Sequence, residues 1–251
     1  MDQRDSYLRA LQEVTRYVHH LGDESVQEFT PWTGHAISMF SHARELLVAS
    51  TVLLERNMVG PAFVLQRPLF EDSLRLAEYA AASDVAKVGL IAAWLRAGLK
   101  KALGLAQKAA RDGGEVEAGV IRTNVADQRN KIDRALKRHG AVATPFMNVE
   151  TAAKAFGRED DLPGYGMSHR AVHSDDLVHS MSRDMGNEGV MAVGKSRRVY
   201  LDAVAELAAR SGLHLARSFH AITGTAVDED SLAGLAARLV ALNESDDGEA
   251  S

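Results

Sequence analysis

Two groups of residues in this chain have the types and spacing to do chemistry. Around Tyr165 to Ser180, "YGMSHRAVHSDDLVHS" holds three of the ten histidines. At about 100° per residue along a helix, Tyr165, Ser168, His169, Val172, His173, Asp176 and His179 fall on one arc. Met167, Ala171 and Val178 lie opposite. That face offers imidazoles for proton transfer, a phenol and a hydroxyl for hydrogen bonding, and a carboxylate to orient them. His169 and His173, four apart, could also chelate a metal together with Asp176. However, the E-x-x-H pairs of di-iron bundles are missing from the sequence. The expectation is therefore no metal and no cofactor, with the face either a metal-free polar site or a solvated helix surface.

The second group is "RPLFED". Arg67 and Glu71 are four apart, and Arg75 and Glu78 continue the charged band. The same helix is apolar on two sides, through Phe63, Phe70, Leu74 and Ala81 and through Leu65, Leu69 and Leu76. A helix this apolar is largely buried, so its charges must meet polar partners or emerge through a gap. Pro68 removes one helical hydrogen bond and frees the carbonyl of Val64.

Other features exclude function classes. Without cysteine there are no disulfides, thiolate zinc sites or Cys nucleophiles. "GVMAVGKS", Gly189 to Ser196, has the letters of a phosphate loop, but no apolar strand precedes it, so we expect no nucleotide there. The N-terminal "MDQRDSYLRALQEV" lacks the apolar centre of a signal peptide. No uninterrupted apolar run approaches the roughly 20 residues of a membrane span. These features lead us to expect a soluble cytoplasmic protein.

The net charge of −5 is unevenly spread. Lys87 to His139 holds 12 Lys/Arg against 5 Asp/Glu, or +7, which leaves −12 on the rest. Within that basic stretch Lys100, Lys101, Arg129, Arg134, Lys137 and Arg138 are candidate contacts to RNA phosphates.

Apolar spacing is helical throughout. Leu8, Leu11, Val14, Val18 and Leu21 mark a first helix, ended by Gly22. Further long helices are expected from about Ala36 to Asn57, Gly60 to Ser83, Asp84 to Arg111, Val116 to His139 and Lys195 to Ile222. Ser83 or Asp84 should cap the fourth, and Gly140 should close the fifth. Short helices are expected near Val149 to Phe156, over the histidine-rich stretch and around Ser231 to Asn243. Polar faces at His35, Ser38, His42 and Glu45, and at Arg210, His214 and Arg217, read as solvated. The pattern predicts an all-α protein: a single domain over 1–243, a bundle of about five long helices with short satellites. The acidic residues 244–251 should form a disordered tail.

Taken together, "RPLFED" and "YGMSHRAVHS" resemble the motifs of a family of uncharacterised bacterial helical proteins. These carry an R-x-x-x-E helix and a later Y-x-x-S-x-x-x-x-H segment. Arg67, Glu71, Tyr165, Ser168 and His173 match, over roughly Phe40 to Ser180. The helical layout is similar to that of the HEPN superfamily, whose active members are metal-independent RNases of toxin and phage-defence systems. The R-x(4–6)-H motif of those RNases has a counterpart in "RALKRH", Arg134 to His139, although Ala135 stands where a polar residue is usual. The resemblance implies a defence or toxin-type effector acting on RNA. His173 would be acid or base, Glu71 would orient it, Arg67 would bind phosphate, and Tyr165 and Ser168 would complete the site. The alternative is a non-catalytic helical module in which the same residues form a buried network. A homo-oligomer is expected, a dimer in the case of the helical module, with no membrane partner.

Overall fold

A computed structural model describes residues 4–23, 31–172, 196–225 and 228–249. Among these the regular structure is helical: α1 (Arg4–Asp23), α2 (Pro31–Glu55), α3 (Val59–Ala81), α4 (Asp84–Arg111), α5 (Glu115–His139), α6 (Val149–Ala155), α7 (Leu162–Val172), α8 (Ser196–Thr223) and α9 (Glu229–Glu249). A single 3₁₀ turn, Glu159–Asp161, precedes α7. The fold is all-α.

The chain divides into two compact units, Met1–Ala80 with Asn148–Ser251, and Ala81–Met147. The second is inserted between α3 and α6, and no linker composition marks its ends. In the first unit α1, α2 and α8 pack on one another, and α9 lies against α1 and α8. Leu11, Val14 and Val18 of α1 meet Phe40, Ala43 and Leu47 of α2 and Val204, Ala208, Leu215 and Phe219 of α8, all almost wholly buried. Each buried Leu, Val or Phe stabilises the fold by about 1.5–3 kcal/mol. Phe40 and Phe219 stack with ring centroids 4.0 Å apart. The three helices approach closely at Gly212, where an added Cβ would stand 2.6 Å from Val14 Cγ1 and 3.0 Å from Leu47 Cδ2.

By length and composition α2 could cross a bilayer, over Thr33–Glu55 at mean hydropathy 1.2. It supplies Ala36, Phe40, Ala43, Leu47 and Leu54 to the buried core, about a third of the apolar window being buried. Its polar groups are also engaged there: Thr51 Oγ1 bonds Thr15 Oγ1 at 2.8 Å, and Ser50 Oγ accepts from Gln66 at 3.2 Å.

α3 runs unbroken through Pro68. It buries Phe63, Leu69, Phe70, Leu74 and Leu76 along with two polar residues, Gln66 and Ser73, and leaves Arg67, Glu71 and Arg75 part-exposed. α9 continues to Glu249, through the segment whose composition suggests disorder. Composition reports that this segment has no apolar anchor, which does not fix its backbone conformation.

The second unit is the α4–α5 hairpin and the segment that follows it. Ser83 caps α4, its Oγ accepting from the Ala86 N–H at 3.3 Å. Gly140 closes α5 in the left-handed region at φ 60°. Ala106 of α4 and Ala118, Val125, Ile132 and Leu136 of α5 form the buried seam. The chain then returns along α4, where the Thr144 N–H donates to the Gly89 carbonyl at 3.1 Å. At Gly89 a Cβ would collide with the carbonyl of Val142, so only glycine permits this approach.

Candidate functional site

The helical repeat of α3 turns Arg67, Glu71 and Arg75 to one side, with Asp72 beside them. Arg67 Nε donates to Glu71 Oε1 at 3.0 Å, and Arg75 Nη2 donates to Glu71 Oε2 at 3.0 Å. The other arm of Arg75 reaches Asp72 Oδ1 at 3.0 Å, so one guanidinium spans both carboxylates. From α7, distant in sequence, the Tyr165 hydroxyl donates to Glu71 Oε1 at 3.0 Å. The Tyr165 ring meets Phe70 with centroids 5.5 Å apart. Burial, the negative charge of Glu71 and the bond to it push the Tyr165 phenol up, so it remains a donor at neutral pH. The bond to Glu71 and its charge, opposed by some burial, push Arg67 up as well.

α2 adds a histidine to this network. His42 Nδ1 lies 2.7 Å from Asp72 Oδ2, with the His42 side chain 61% exposed and that of Asp72 13% exposed. An ionised Asp72 can only accept, so His42 Nδ1 is the donor in this bond, and the ring is oriented by the carboxylate. A continuous chain of bonds thus runs from His42 through Asp72, Arg75 and Glu71 to Arg67 and Tyr165.

Of the five residues singled out from sequence, the structure brings Arg67, Glu71 and Tyr165 together. Ser168 lies on the α7 backbone, but its side chain and that of His169 are outside the described residues, as are His173 and Asp176 entirely. Gly189 to Lys195 of the phosphate-loop-like stretch also lie outside them. His42, Asp72 and Arg75 join the site although sequence reading placed His42 on a solvated face. The sequence signal for His42 was its helical spacing with His35, Ser38 and Glu45, and that for Arg75 was its place in the charged band of α3; the pairing across helices is a tertiary event. Among the described residues no three His, Asp or Glu side chains are grouped to hold a metal.

The six basic candidates of the hairpin are all exposed. At about 100° per residue, Arg134, Lys137 and Arg138 share an arc of about 100° on α5, with Arg129 outside it. Lys100 and Lys101 are on α4. Arg134 and His139 are about 140° apart on the unbroken α5, so they do not share a face.

The model of a family of unknown function, DUF5677, matches residues 34–189. The chain belongs to this family. The DUF5677 match takes in α2 to α7 and so contains the whole network from His42 to Tyr165. α1 and the described parts of α8 and α9, which complete the bundle around α2, lie outside the matched span. No curated protein and no solved structure matches the chain.

Proposed function

We propose that this DUF5677 protein is a metal-independent ribonuclease of the HEPN-like kind, a defence or toxin-type effector working in the cytoplasm. The observation that carries this reading is the grouping of an Asp-oriented, solvent-facing imidazole with two arginines and a phenol on one bonded surface. Cleavage of RNA without a metal needs those parts. A base takes the proton of the 2′-hydroxyl as its oxygen attacks phosphorus, and an acid protonates the departing 5′-oxygen as the P–O5′ bond breaks. Positive charge offsets the extra negative charge that develops on the phosphorane. His42 Nε2 supplies the base, with Asp72 holding the ring. Arg67 and Arg75, each part-exposed, supply the charge. His173 keeps its sequence-based candidacy for the acid. The exposed Lys and Arg side chains of the α4–α5 hairpin would hold RNA through its phosphates.

A second reading has its own observation. Glu71 accepts from three donors and Asp72 from two, so the network closes on itself with two guanidinium and two carboxylate charges. Such a network could serve chiefly to fix α7 on α3 in a non-catalytic helical module, which would be dimeric.

The test is incubation of purified full-length protein with single-stranded RNA in excess chelator. The nuclease reading expects fragments ending in a 2′,3′-cyclic phosphate and starting with a 5′-hydroxyl. Intact RNA with the chelator and with added Mg²⁺ or Mn²⁺ favours the module. Cleavage only on metal addition overturns the metal-independent mechanism.

A further inference from the structure

A second polar cluster lies in the first unit, joined to the His42–Tyr165 network through the ring of Phe70, which meets both Tyr165 and Arg158. The segment after α6 and the middle of α8, with α9 alongside, line an open cavity of about 210 Å³. Arg158, Arg210, His214 and Arg217 supply its polar lining, and Leu213 and Leu239 are among its apolar walls. No Asp or Glu is among the described residues that line it. The cavity is smaller than a drug-sized pocket and suits a compact ligand.

Arg158 is the unusual member. Its side chain is only 4% exposed, yet it carries a full charge on a guanidinium that does not lose its proton in proteins. Nε pairs with Asp161, and Nη2 donates to Ser211 Oγ at 3.3 Å. The Arg158 guanidinium carbon also sits 5.0 Å from the centre of the Phe70 ring. Nη1 is buried and has no hydrogen-bond partner among the described residues. An unsatisfied buried donor on a charged group is costly, and such groups normally find a partner.

Among the described residues the carboxylates do not balance the cluster. Asp161, behind the cavity, is shared between Arg158 and Arg210, the latter at 3.5 Å. Glu206 takes the other arm of Arg210 at 2.6 Å. Arg217 is exposed and forms no ion pair among the described residues. Three guanidinium charges therefore face two carboxylates, and those carboxylates stand outside the lining.

We propose that this cavity is a binding site for a compact phosphate group, either inorganic phosphate or the terminal phosphate of a larger molecule. An anion seated among Arg158, Arg210 and Arg217 would supply the negative charge that the described residues around the cavity lack. Guanidinium forks match phosphate oxygens in a way that lysine does not. The neutral His214 imidazole offers one more polar contact. Burial, then the charges of Arg158 and Arg217, push His214 down to about 3, so the positive charge of the cavity comes from the arginines. This site does not depend on the nuclease reading, and its Arg210, His214 and Arg217 lie outside the family match.

The test is titration of full-length protein with inorganic phosphate at constant ionic strength, followed by calorimetry and by ³¹P line broadening, with chloride as the reference anion. A 5′-phosphorylated dinucleotide and its dephosphorylated form make the second arm. Saturable phosphate binding is expected, weakened at least tenfold in Arg217→Gln, which removes an exposed charge and should fold normally. Arg158→Lys, which keeps the charge but not the fork, should weaken it comparably. Arg56→Gln, at an exposed position elsewhere, should bind within twofold of wild type. Tighter binding of the phosphorylated dinucleotide than of phosphate assigns the site to a terminal phosphate, and the reverse assigns it to the free ion. No saturable binding of either probe by wild type, or equal binding by wild type and Arg217→Gln, overturns the proposal.

Discussion

At neutral pH the part-buried, neutral His214 gives the fold a component of stability that acid should remove. His214 is pushed down to about 3 by burial first and by Arg158 and Arg217 second, whereas an unfolded chain holds its histidines near 6.5. The groups around it are Arg158 after α6 and Arg210 and Arg217 on α8; α9 contributes Ala236, Leu239 and Val240, which carry no charge. Below pH 6.5 the unfolded chain takes up a proton that the folded chain refuses, so stability falls as pH falls towards 3. Above 6.5 both states are neutral and this contribution is complete. Between pH 7 and pH 5 the loss is about 2 kcal/mol, and by pH 4 about 3 kcal/mol. The pH 5 figure barely changes if the folded value is a unit higher, because the folded imidazole is still neutral there. The assay is urea unfolding of wild type and His214→Gln at pH 7, 6 and 5. Gln keeps a polar side chain but does not titrate, and the other carboxylates and histidines are common to both proteins. Wild type should lose about 2 kcal/mol more than the variant over this range. Parallel curves, within about 0.5 kcal/mol, would show that His214 protonates freely in the folded protein and would refute the reasoning.

Other expectations follow from the packing and the networks. Gly212→Ala places a methyl against Val14 and Leu47 where α1, α2 and α8 converge, and should cost about 1–3 kcal/mol in urea unfolding. Tyr165→Phe removes one of the three donors to Glu71 and should lower stability by about 1 kcal/mol, whichever functional reading holds. Replacing both Lys137 and Arg138 by Gln should flatten the logarithmic salt dependence of RNA binding by about 1.4, measured by fluorescence anisotropy between 50 and 200 mM salt. Lys195→Ala should leave ATP and GTP titrations unchanged from wild type; micromolar binding abolished by the change would revive the phosphate-loop reading.

Helix periodicity, caps and breakers were legible because they are local. Ser83 and Gly140 act as caps, and the bounds of α4 and α5 fall within a residue of those read from apolar spacing. The pairing of Arg67 with Glu71 was legible for the same reason, since a spacing of four on a helix brings the two groups together. The bond from Tyr165 to Glu71 spans 94 residues and was suggested by family resemblance, not by spacing. His42 could not be placed in the network from sequence, because a half-exposed helix face looks the same whether it meets water or Asp72. The Arg210–His214–Arg217 face posed the same ambiguity. What turns it into a cavity lining is Arg158, more than fifty residues earlier in the chain, and no local pattern announces a buried arginine. The insertion of the α4–α5 hairpin was equally silent, since its boundary at Ala81 lies at the end of a helix rather than in a linker.

The central claim is that the His42–Tyr165 network does chemistry on RNA, and the cleavage rate of His42→Ala tests it most directly. A lost general base commonly costs about 10²–10⁴ in rate. The account expects a fall of that size under chelating conditions. The melting temperature should stay within a few degrees of wild type, because His42 is largely exposed. His173→Ala, measured alongside, should show a comparable fall if it supplies the acid. A His42→Ala protein that cleaves RNA at the wild-type rate would contradict the account, and so would a wild type that leaves RNA intact.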